Sequence, residues 1–285
     1  MGKPEHKSDK LPRSKPLAPN DKSVATHPRK RFYRARAHSN PLNEMSLDVP
    51  AHPDDVDWSE HYPSFFPQRS GDEVHDGSTG APSTSGQGQE QPLVRFADIG
   101  CGFGGLLIKL SPLYPDTLMM GMELRDKVSA YVRERIAALR RDEPGQYTNV
   151  SVLRTNAMKF MPNYYRKGQL TKMFFLFPDP HFKQANHRRR IINTHLITEY
   201  AHLLAPSGML YTITDVEELG TWMRAKLDAH PMFERLSDEE LKDDPAAGLL
   251  AESSEEGQKV ARSGGATYRN VYRRLDKPRT LAASA

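Results

Sequence analysis

The stretch VRFADIGCGFGG, at residues 94–105, is a short apolar run that ends in a loop with four glycines. An apolar run of this length followed by glycines is typical of a buried strand and a tight turn, because glycine adopts backbone conformations that other residues avoid. A helix after such a turn leaves free backbone N–H groups at its start, which can face a ligand. The stretch therefore predicts the first strand of an α/β domain, with a binding loop at its carboxyl end.

Further along the chain, short apolar runs alternate with segments of helical spacing. The runs predict strands at residues 94–99, 117–123, 150–154, 173–178 and 208–214. Apolar residues three or four positions apart predict helices at residues 126–141, 188–204 and 216–229. This alternation favours a parallel sheet with helices on both faces. A last strand is expected at residues 267–275, and its direction stays open.

The length and composition bound the class of protein. With 285 residues and 37% hydrophobic content, one domain with added segments is expected. No apolar run reaches the length of a membrane span, no secretory signal is visible, and the single cysteine, Cys101, has no disulfide partner. The chain is therefore expected to be soluble and intracellular. The histidines lack ligand spacing, so no metal site is expected.

Charge and composition divide the chain into segments. Residues 1–40 hold eleven Lys and Arg against three acidic residues, so 1–30 is expected to be a disordered basic tail. Such a tail suits RNA or a nuclear import receptor, and a solvated tail without a partner is the alternative. Residues 27–34, which mix cations with aromatic rings, are the best candidate for contact with RNA. The remaining segments are expected to be an extension packed on the core at 31–66, a flexible loop at 67–92, the main domain at 93–275 and a disordered tail at 276–285.

The glycine loop fits more than one kind of site. Gly100, Gly102 and Gly105 satisfy the pattern G-x-G-x-x-G, which is found in nicotinamide-dependent oxidoreductases. A purely structural turn explains the same glycines. From the loop alone, both interpretations stay open.

Two features, Asp98 and the pair Asn156-Ala157, favour an S-adenosylmethionine-dependent methyltransferase over an oxidoreductase. Asp98 precedes the loop, where a carboxylate can face the ammonium group of that cofactor. Glu123 ends the second strand, where a carboxylate can hold both hydroxyls of a ribose. Asn156 and Ala157 follow the third strand and are placed for an adenine edge.

The fourth predicted strand ends in the sequence FFLFPDPHFK, at residues 174–183. Ligands of open α/β sheets lie beyond the carboxyl ends of the strands, and the prolines on both sides of Asp179 fix the direction of its carboxylate. The cations that follow, suited to phosphates, are Lys183, Arg188, Arg189 and Arg190. A capping Asp and a solvated basic helix start are the structural alternative, but basic side chains are unfavourable at a helix N-terminus.

Five motifs together resemble the tRNA (guanine-N7)-methyltransferase family, in its eukaryotic catalytic-subunit form. They are RAHSNP at 36–41, DIGCG at 98–102, FLFPDPHFK at 175–183, YTITD at 211–215 and SEEG at 254–257. The resemblance covers about residues 31–275 without the loop at 67–92. It implies a Rossmann-like, seven-stranded class I methyltransferase sheet.

The resemblance also implies substrates, partners and site residues. It implies methyl transfer to N7 of a guanosine in the tRNA variable loop, usually position 46, with a WD-repeat propeller as non-catalytic subunit and residence in the nucleus. Asp179 matches the catalytic position, and Ser254 stands where the family more often has Thr. The positions that match S-adenosylmethionine contacts are Gly100, Glu123, Arg125, Asn156, Ala157, Leu176, Ser254 and Glu256.

Guanine N7 carries a free lone pair, so the expected reaction needs orientation and electrostatic stabilisation more than proton removal. Asp179 is expected to accept hydrogen bonds from the guanine N1–H and exocyclic amine. Asp215, at the end of the fifth predicted strand, is expected either to face the substrate or to cap the next helix. An RNA-binding scaffold without catalysis is a third interpretation, beside the methyltransferase and the oxidoreductase.

Overall fold

The sheet of the protein has seven strands, as the computed structural model shows for residues 27–33, 35, 40–43, 46–66 and 91–280. The strands are β1 (Val94–Ile99), β2 (Leu118–Glu123), β3 (Val150–Arg154), β4 (Leu170–Leu176), β5 (Leu204–Thr214), β6 (Phe233–Arg235) and β7 (Tyr268–Arg274). Their order is β3-β2-β1-β4-β5-β7-β6. The first five strands are parallel, and β7 runs antiparallel to both β5 and β6.

Eight α-helices accompany the sheet in the described residues. They are α1 (Gly105–Leu110), α2 (Asp126–Asp142), α3 (Ala157–Tyr164), α4 (Thr194–Leu203), α5 (Glu217–Asp228), α6 (Asp238–Leu241), α7 (Pro245–Leu249) and α8 (Glu255–Arg262). Four short 3-10 helices lie at Lys30–Tyr33, Pro53–Asp55, Ser111–Leu113 and Gln184–Arg189. The expected α/β fold, a seven-stranded class I methyltransferase sheet, is therefore confirmed.

The core consists of two clusters, one on each face of the sheet. Successive strand residues alternate between them: Phe174 belongs to one cluster and Phe175 to the other. The Phe175 cluster also contains side chains of α3, α4 and α5, whereas the Phe174 cluster contains side chains of α1, α2 and α6. Helices therefore cover both faces, which leaves the carboxyl ends of the parallel strands as the edge open to ligands.

The described part of the N-terminal extension packs on the sheet. Tyr62 is fully buried, and its hydroxyl donates to the carbonyl of Met119 at 2.8 Å. The ring of Trp58 stacks on Tyr165, with 6.4 Å between the centroids. The expected disordered segments, 1–30, 67–92 and 276–285, lie largely outside the described residues, as does most of the motif at 36–41.

The helix expected at 188–204 is wrong in its first turn and a half. Residues Gln184–Arg189 form a 3-10 helix, and α4 begins only at Thr194. The side-chain oxygen of Asn193 accepts hydrogen bonds from the backbone of His195 and Leu196 at 3.1 Å, which makes Asn193 the N-cap. The apolar spacing therefore continues across a real helix boundary.

Candidate active site

The carboxyl ends of the parallel strands border a cleft made of two adjoining cavities of about 190 and 540 Å³. The smaller cavity lies against the ends of β2 and β3, and the larger one against the glycine loop, β5 and the start of α8. The residues that line both are Gly100, Arg125, Leu176, Phe177, Pro178 and Asp179. The glycine loop and Asp179 therefore open onto one cleft.

The glycine loop keeps its wall of the cleft free of side chains. Gly100 has a φ of 72° and Gly102 a φ of 54°, in the left-handed region that favours glycine. A Cβ atom at either position meets no atom within 4 Å, so each α-carbon faces open space. Because Gly100 lines both cavities, a ligand that spans them passes directly over its backbone.

At Gly105, the third glycine of the pattern, glycine is required for a different reason. A Cβ atom there would lie 1.9 Å from the carbonyl oxygen of Ser253. The start of α1 therefore packs directly against the chain that leads into α8. A second close approach occurs at Gly257, whose Cβ would lie 2.0 Å from the carbonyl oxygen of Ala251. The approach at Gly105 places the segment at residues 251–257 against the glycine loop, whereas the one at Gly257 lies within that segment.

Glu123 is a buried carboxylate with several donors. It accepts hydrogen bonds from the backbone of Gly102 at 3.1 Å and of Arg125 at 2.9 Å. The Arg125 side chain adds two more, from Nε at 2.9 Å and from Nη2 at 3.0 Å. The hydrogen bonds to Glu123, together with the negative charges of Glu123 and, more weakly, Asp179, raise the pKa of Arg125. Arg125 therefore lies between the carboxylate of β2 and that of the β4 turn.

Asp98 is the second buried carboxylate of the cleft. Asp98 is the second-last residue of β1, beside the glycine loop, and it lines the larger cavity. Burial, together with the nearby charge of Glu123, raises the pKa of Asp98 to about 7. A cationic ligand group in this cavity would stabilise the ionised form of the carboxyl.

Asn156 and Ala157 line the smaller cavity, but the side chain of Asn156 also has structural contacts. Its oxygen caps α3 by accepting from the backbone of Met158 at 3.1 Å, and its nitrogen donates to the carbonyl of Pro41 at 2.6 Å. Asn156 thereby fixes Pro41, which belongs to the N-terminal extension, at the rim of the smaller cavity.

The turn after β4 has a strained backbone on both sides of Asp179. Phe177 and His181 have φ values of 48° and 47°, which are unusual for residues with side chains. The backbone N–H of Phe177 still donates to the carbonyl of Ile213 at 2.8 Å, so the turn begins in register with β5. Two prolines and two left-handed residues therefore hold Asp179, which is half-buried, toward both cavities.

The cations expected to bind phosphates after this turn differ in their exposure, and the structure contradicts the expectation only at Arg190. Lys183 and Arg188 are exposed, and Arg189 is half-buried and lines the smaller cavity. The side chain of Arg190 is only 1% exposed and forms an ion pair with Glu218. Arg190 faces the interior because its guanidinium has partners there, so it is not available to a phosphate.

Ser254, Glu256 and Asp215 lie around the larger cavity. The Ser254 hydroxyl accepts from the backbone of Gly257 at 2.9 Å and caps α8, while Glu256 forms an ion pair with Lys259 at 3.0 Å. Asp215 is exposed, and the N-cap residue of α5 is Val216, without a side-chain cap. The capping role considered for Asp215 is therefore wrong.

Three aromatic side chains of the β4 turn line the cleft and were not identified as site residues from the sequence. His181 lines the smaller cavity, Phe182 lines the larger one with 69% of its surface exposed, and Phe177 lines both. All three lie within the FFLFPDPHFK segment, so proximity to Asp179 was the available signal.

In the described part of the chain, no cluster of three metal-ligating side chains occurs. No described helix is long and apolar enough to cross a membrane.

Comparison with known proteins gives consistent matches. A family model described as putative methyltransferase matches residues 92–270. The chain is 59% identical to a tRNA (guanine-N(7)-)-methyltransferase of Zea mays, over 87% of this chain and 93% of the relative. It is 51% identical to the Homo sapiens protein of the same name, over 89% and 91%. The solved 16S rRNA methyltransferase KamB covers 66% of this chain and 90% of its own length, with 16% identity and a TM-score of 0.43.

Proposed function

The chain belongs to the family of tRNA (guanine-N(7)-)-methyltransferases, and we propose that it methylates guanine N7 in the cleft shared by the glycine loop and Asp179, with S-adenosylmethionine as donor. The observation that carries this placement is that Gly100, Arg125 and Asp179 line both cavities. Because the chain belongs to a methyltransferase family, a methyltransferase is favoured over the two other interpretations, a nicotinamide-dependent oxidoreductase and a scaffold without catalysis.

The residues of the cleft fit S-adenosylmethionine. The α-carbon of Gly100 faces open space between the cavities, which leaves room for the ligand at its centre. Asp98 suits the ammonium group in the larger cavity. Glu123 suits the ribose hydroxyls once the Arg125 side chain, which takes two of its acceptor positions, turns aside. Leu124 and Ala157 in the smaller cavity offer apolar surface to an adenine ring. When bound, the cofactor supplies a methyl group on a sulfonium, which a nucleophile displaces in line.

Two residues of the segment at residues 251–257 border the larger cavity. Ser254 and Glu256 lie at the start of α8, which the close approach between Gly105 and Ser253 places beside the glycine loop. Leu176, at the end of β4, adds apolar surface to both cavities. The methyl donor would thus lie between the glycine loop, the β4 turn and α8.

Asp179 orients the purine. As a half-buried carboxylate in a rigid turn, it accepts hydrogen bonds from the guanine N1–H and exocyclic amine. The same charge stabilises the positive charge that grows on the purine as N7 bonds to the methyl group. Asp215, exposed on the rim of the larger cavity, faces the incoming nucleotide. No base is required, because N7 carries a free lone pair.

The cations after the turn bind the backbone of the RNA. Lys183 and Arg188 are exposed beside the cleft, and Arg189 reaches the smaller cavity. Their position suits phosphates on both sides of a guanosine that is turned out of its stack into the cleft.

The five motifs support a finer assignment. From them we propose that the substrate is position 46 in the variable loop of tRNA and that a WD-repeat propeller is the non-catalytic partner. The motifs and the basic segment at residues 1–40 support our proposal that the protein resides in the nucleus.

The product identifies the reaction. Purified chain is incubated with radiolabelled S-adenosylmethionine and unmodified tRNA, with and without the propeller subunit, and nucleosides are analysed after digestion. Label is expected in 7-methylguanosine, and a tRNA with adenosine at position 46 is expected to stay unlabelled. Label at an exocyclic amine, at another base or in the protein itself contradicts the proposal.

A further inference from the structure

Arg190 is the one Lys or Arg side chain that is fully buried among the described residues. Burying a guanidinium is unfavourable unless hydrogen bonds and a counter-charge compensate for lost water. Its Nη1 atom has no hydrogen-bond partner among the described residues, so the compensation comes from the other two nitrogens.

Those two nitrogens connect two different elements. Nε donates to the carbonyl of Pro180 at 2.9 Å, in the turn after β4. Nη2 donates to both carboxylate oxygens of Glu218, at 2.9 and 3.0 Å, in the first turn of α5. The guanidinium also lies over the ring of Trp222 on the same helix, 4.7 Å from its centroid. One planar group thus joins the β4 turn to α5.

The two connected points lie next to two carboxylates of the cleft, the half-buried Asp179 and the exposed Asp215. Pro180 directly follows Asp179, and Glu218 is three residues after Asp215. The strands β4 and β5 are paired as far as the Phe177–Ile213 hydrogen bond, and beyond it the chains diverge into the turn and α5. The Arg190 contacts bridge this divergence.

We propose that Arg190 is a positioning residue that fixes the separation of Asp179 and Asp215 and so orients the guanine against the methyl donor. Resting on the proposed function, this role goes beyond it because Arg190 touches neither substrate nor cofactor. Its backbone is fixed as well, since Asn193 donates to its carbonyl at 2.9 Å and Trp222 donates to the carbonyl of Ile192 at 2.8 Å. Lysine cannot replace it, because an ammonium lacks the planar fork that spans two acceptors.

The test separates positioning from simple stability. We compare Arg190→Lys and Glu218→Gln with Glu217→Gln, a neighbouring exposed residue in the same first turn of α5. Arg190→Lys is expected to lower kcat by about 30-fold, in line with the effect of a misplaced reacting group. The KM for S-adenosylmethionine should stay near the wild-type value, and Glu217→Gln should behave as wild type. Glu218 is about half exposed, with 55% of its side chain accessible, so Glu218→Gln tests the bridge in a variant that keeps the fold.

A second measurement asks whether Arg190 acts through Asp179. In the Asp179→Asn background, adding Arg190→Lys is expected to cause little further loss of kcat, because coupled residues are not additive. Additive losses, or a wild-type kcat in both Arg190→Lys and Glu218→Gln, overturn the positioning role. If the wild-type enzyme forms no 7-methylguanosine, the proposed function itself is wrong. That result is obtained from the wild type alone and is therefore distinct from a failure of the Arg190 variants.

Discussion

At the residue scale, Gly105 shows how a position in a familiar glycine pattern can serve packing. In dinucleotide-binding folds the third glycine of the pattern allows a helix to lie close to a strand. Here Gly105 instead leaves room for the carbonyl oxygen of Ser253, so it holds the segment that leads into α8. The sequence alone cannot distinguish these uses, because the neighbour of Gly105 lies almost 150 residues later in the chain.

Gly105→Ala is expected to weaken binding of S-adenosylmethionine by roughly tenfold and to destabilise the protein by about 1–3 kcal/mol, because the new methyl group overlaps the Ser253 carbonyl. Isothermal calorimetry and thermal unfolding measure the two effects. The matched control is Gly248→Ala in α7, where a Cβ atom meets nothing within 4 Å. Equal behaviour of both variants would contradict the close approach.

Asp98 predicts a pH dependence of cofactor binding. The pKa of about 7 means that the carboxyl is largely protonated at pH 6 and largely ionised at pH 8. Because a cationic ligand favours the ionised form, affinity for S-adenosylmethionine should rise as pH increases from 6 to 7 and level off above about 7.5. Calorimetry in buffers of different ionisation enthalpy should detect proton release on binding.

Asp98→Asn is the control for that dependence, since the amide keeps the shape of the side chain and does not titrate. The variant should bind more weakly at pH 8 and show no slope between pH 6 and pH 8. A wild-type affinity that does not vary over this range would place the cationic group elsewhere.

At the element scale, the strands could be predicted better than the helices. Buried parallel strands are continuous apolar runs, so β1, β2 and β3 were expected within a residue of their observed bounds. The α3 helix was not identified, because its eight residues are too few for a clear helical period and one of them is Pro162. The expected helix at 188–204 failed for the opposite reason, since a period continued past the Asn193 cap.

The 3-10 helix at Gln184–Arg189 explains why adjacent cations differ in role. Over this short element Arg188 stays exposed and Arg189 turns toward the smaller cavity, while the next residue, Arg190, is buried. Charge alone predicts all of them as phosphate ligands. The burial of Arg190 depends on Glu218 and Trp222, which belong to a helix that follows in the chain.

The exposed cations predict the salt dependence of tRNA binding. Replacing Lys183 and Arg188 together by Gln should reduce the slope of log Kd against log salt concentration by about 1.5, since each lost phosphate contact changes it by roughly 0.7–0.9. Filter binding across a potassium chloride series measures the slope. Lys242→Gln, an exposed cation in the loop after α6, is the control. An unchanged slope in the double variant would show that the patch does not meet the RNA.

At the scale of the whole molecule, the cleft joins segments that are far apart in sequence. Gly100, Glu123 and Asp179 could be predicted from the strand ends, which meet at one edge of an α/β sheet, and Ser254 from the SEEG motif. The ion pair that the Arg125 side chain forms with Glu123 was not predictable, because a spacing of two residues does not specify side-chain direction. The contacts of the N-terminal extension at Pro41, and of Lys30 with Glu255, likewise arise from packing between distant segments.

A methyl donor and a guanine held by Asp179 are expected to meet in one cleft, and single-turnover methyl transfer by Asp179→Ala measures whether they do. Wild type and variant are each saturated with S-adenosylmethionine, and the rate of 7-methylguanosine formation in tRNA is followed alongside cofactor affinity. The rate in the variant is expected to fall by about 100-fold or more, as when a preorganised charge is removed from a transition state, with cofactor affinity changed by less than about fivefold. A variant that methylates guanine N7 at the wild-type rate would contradict the account.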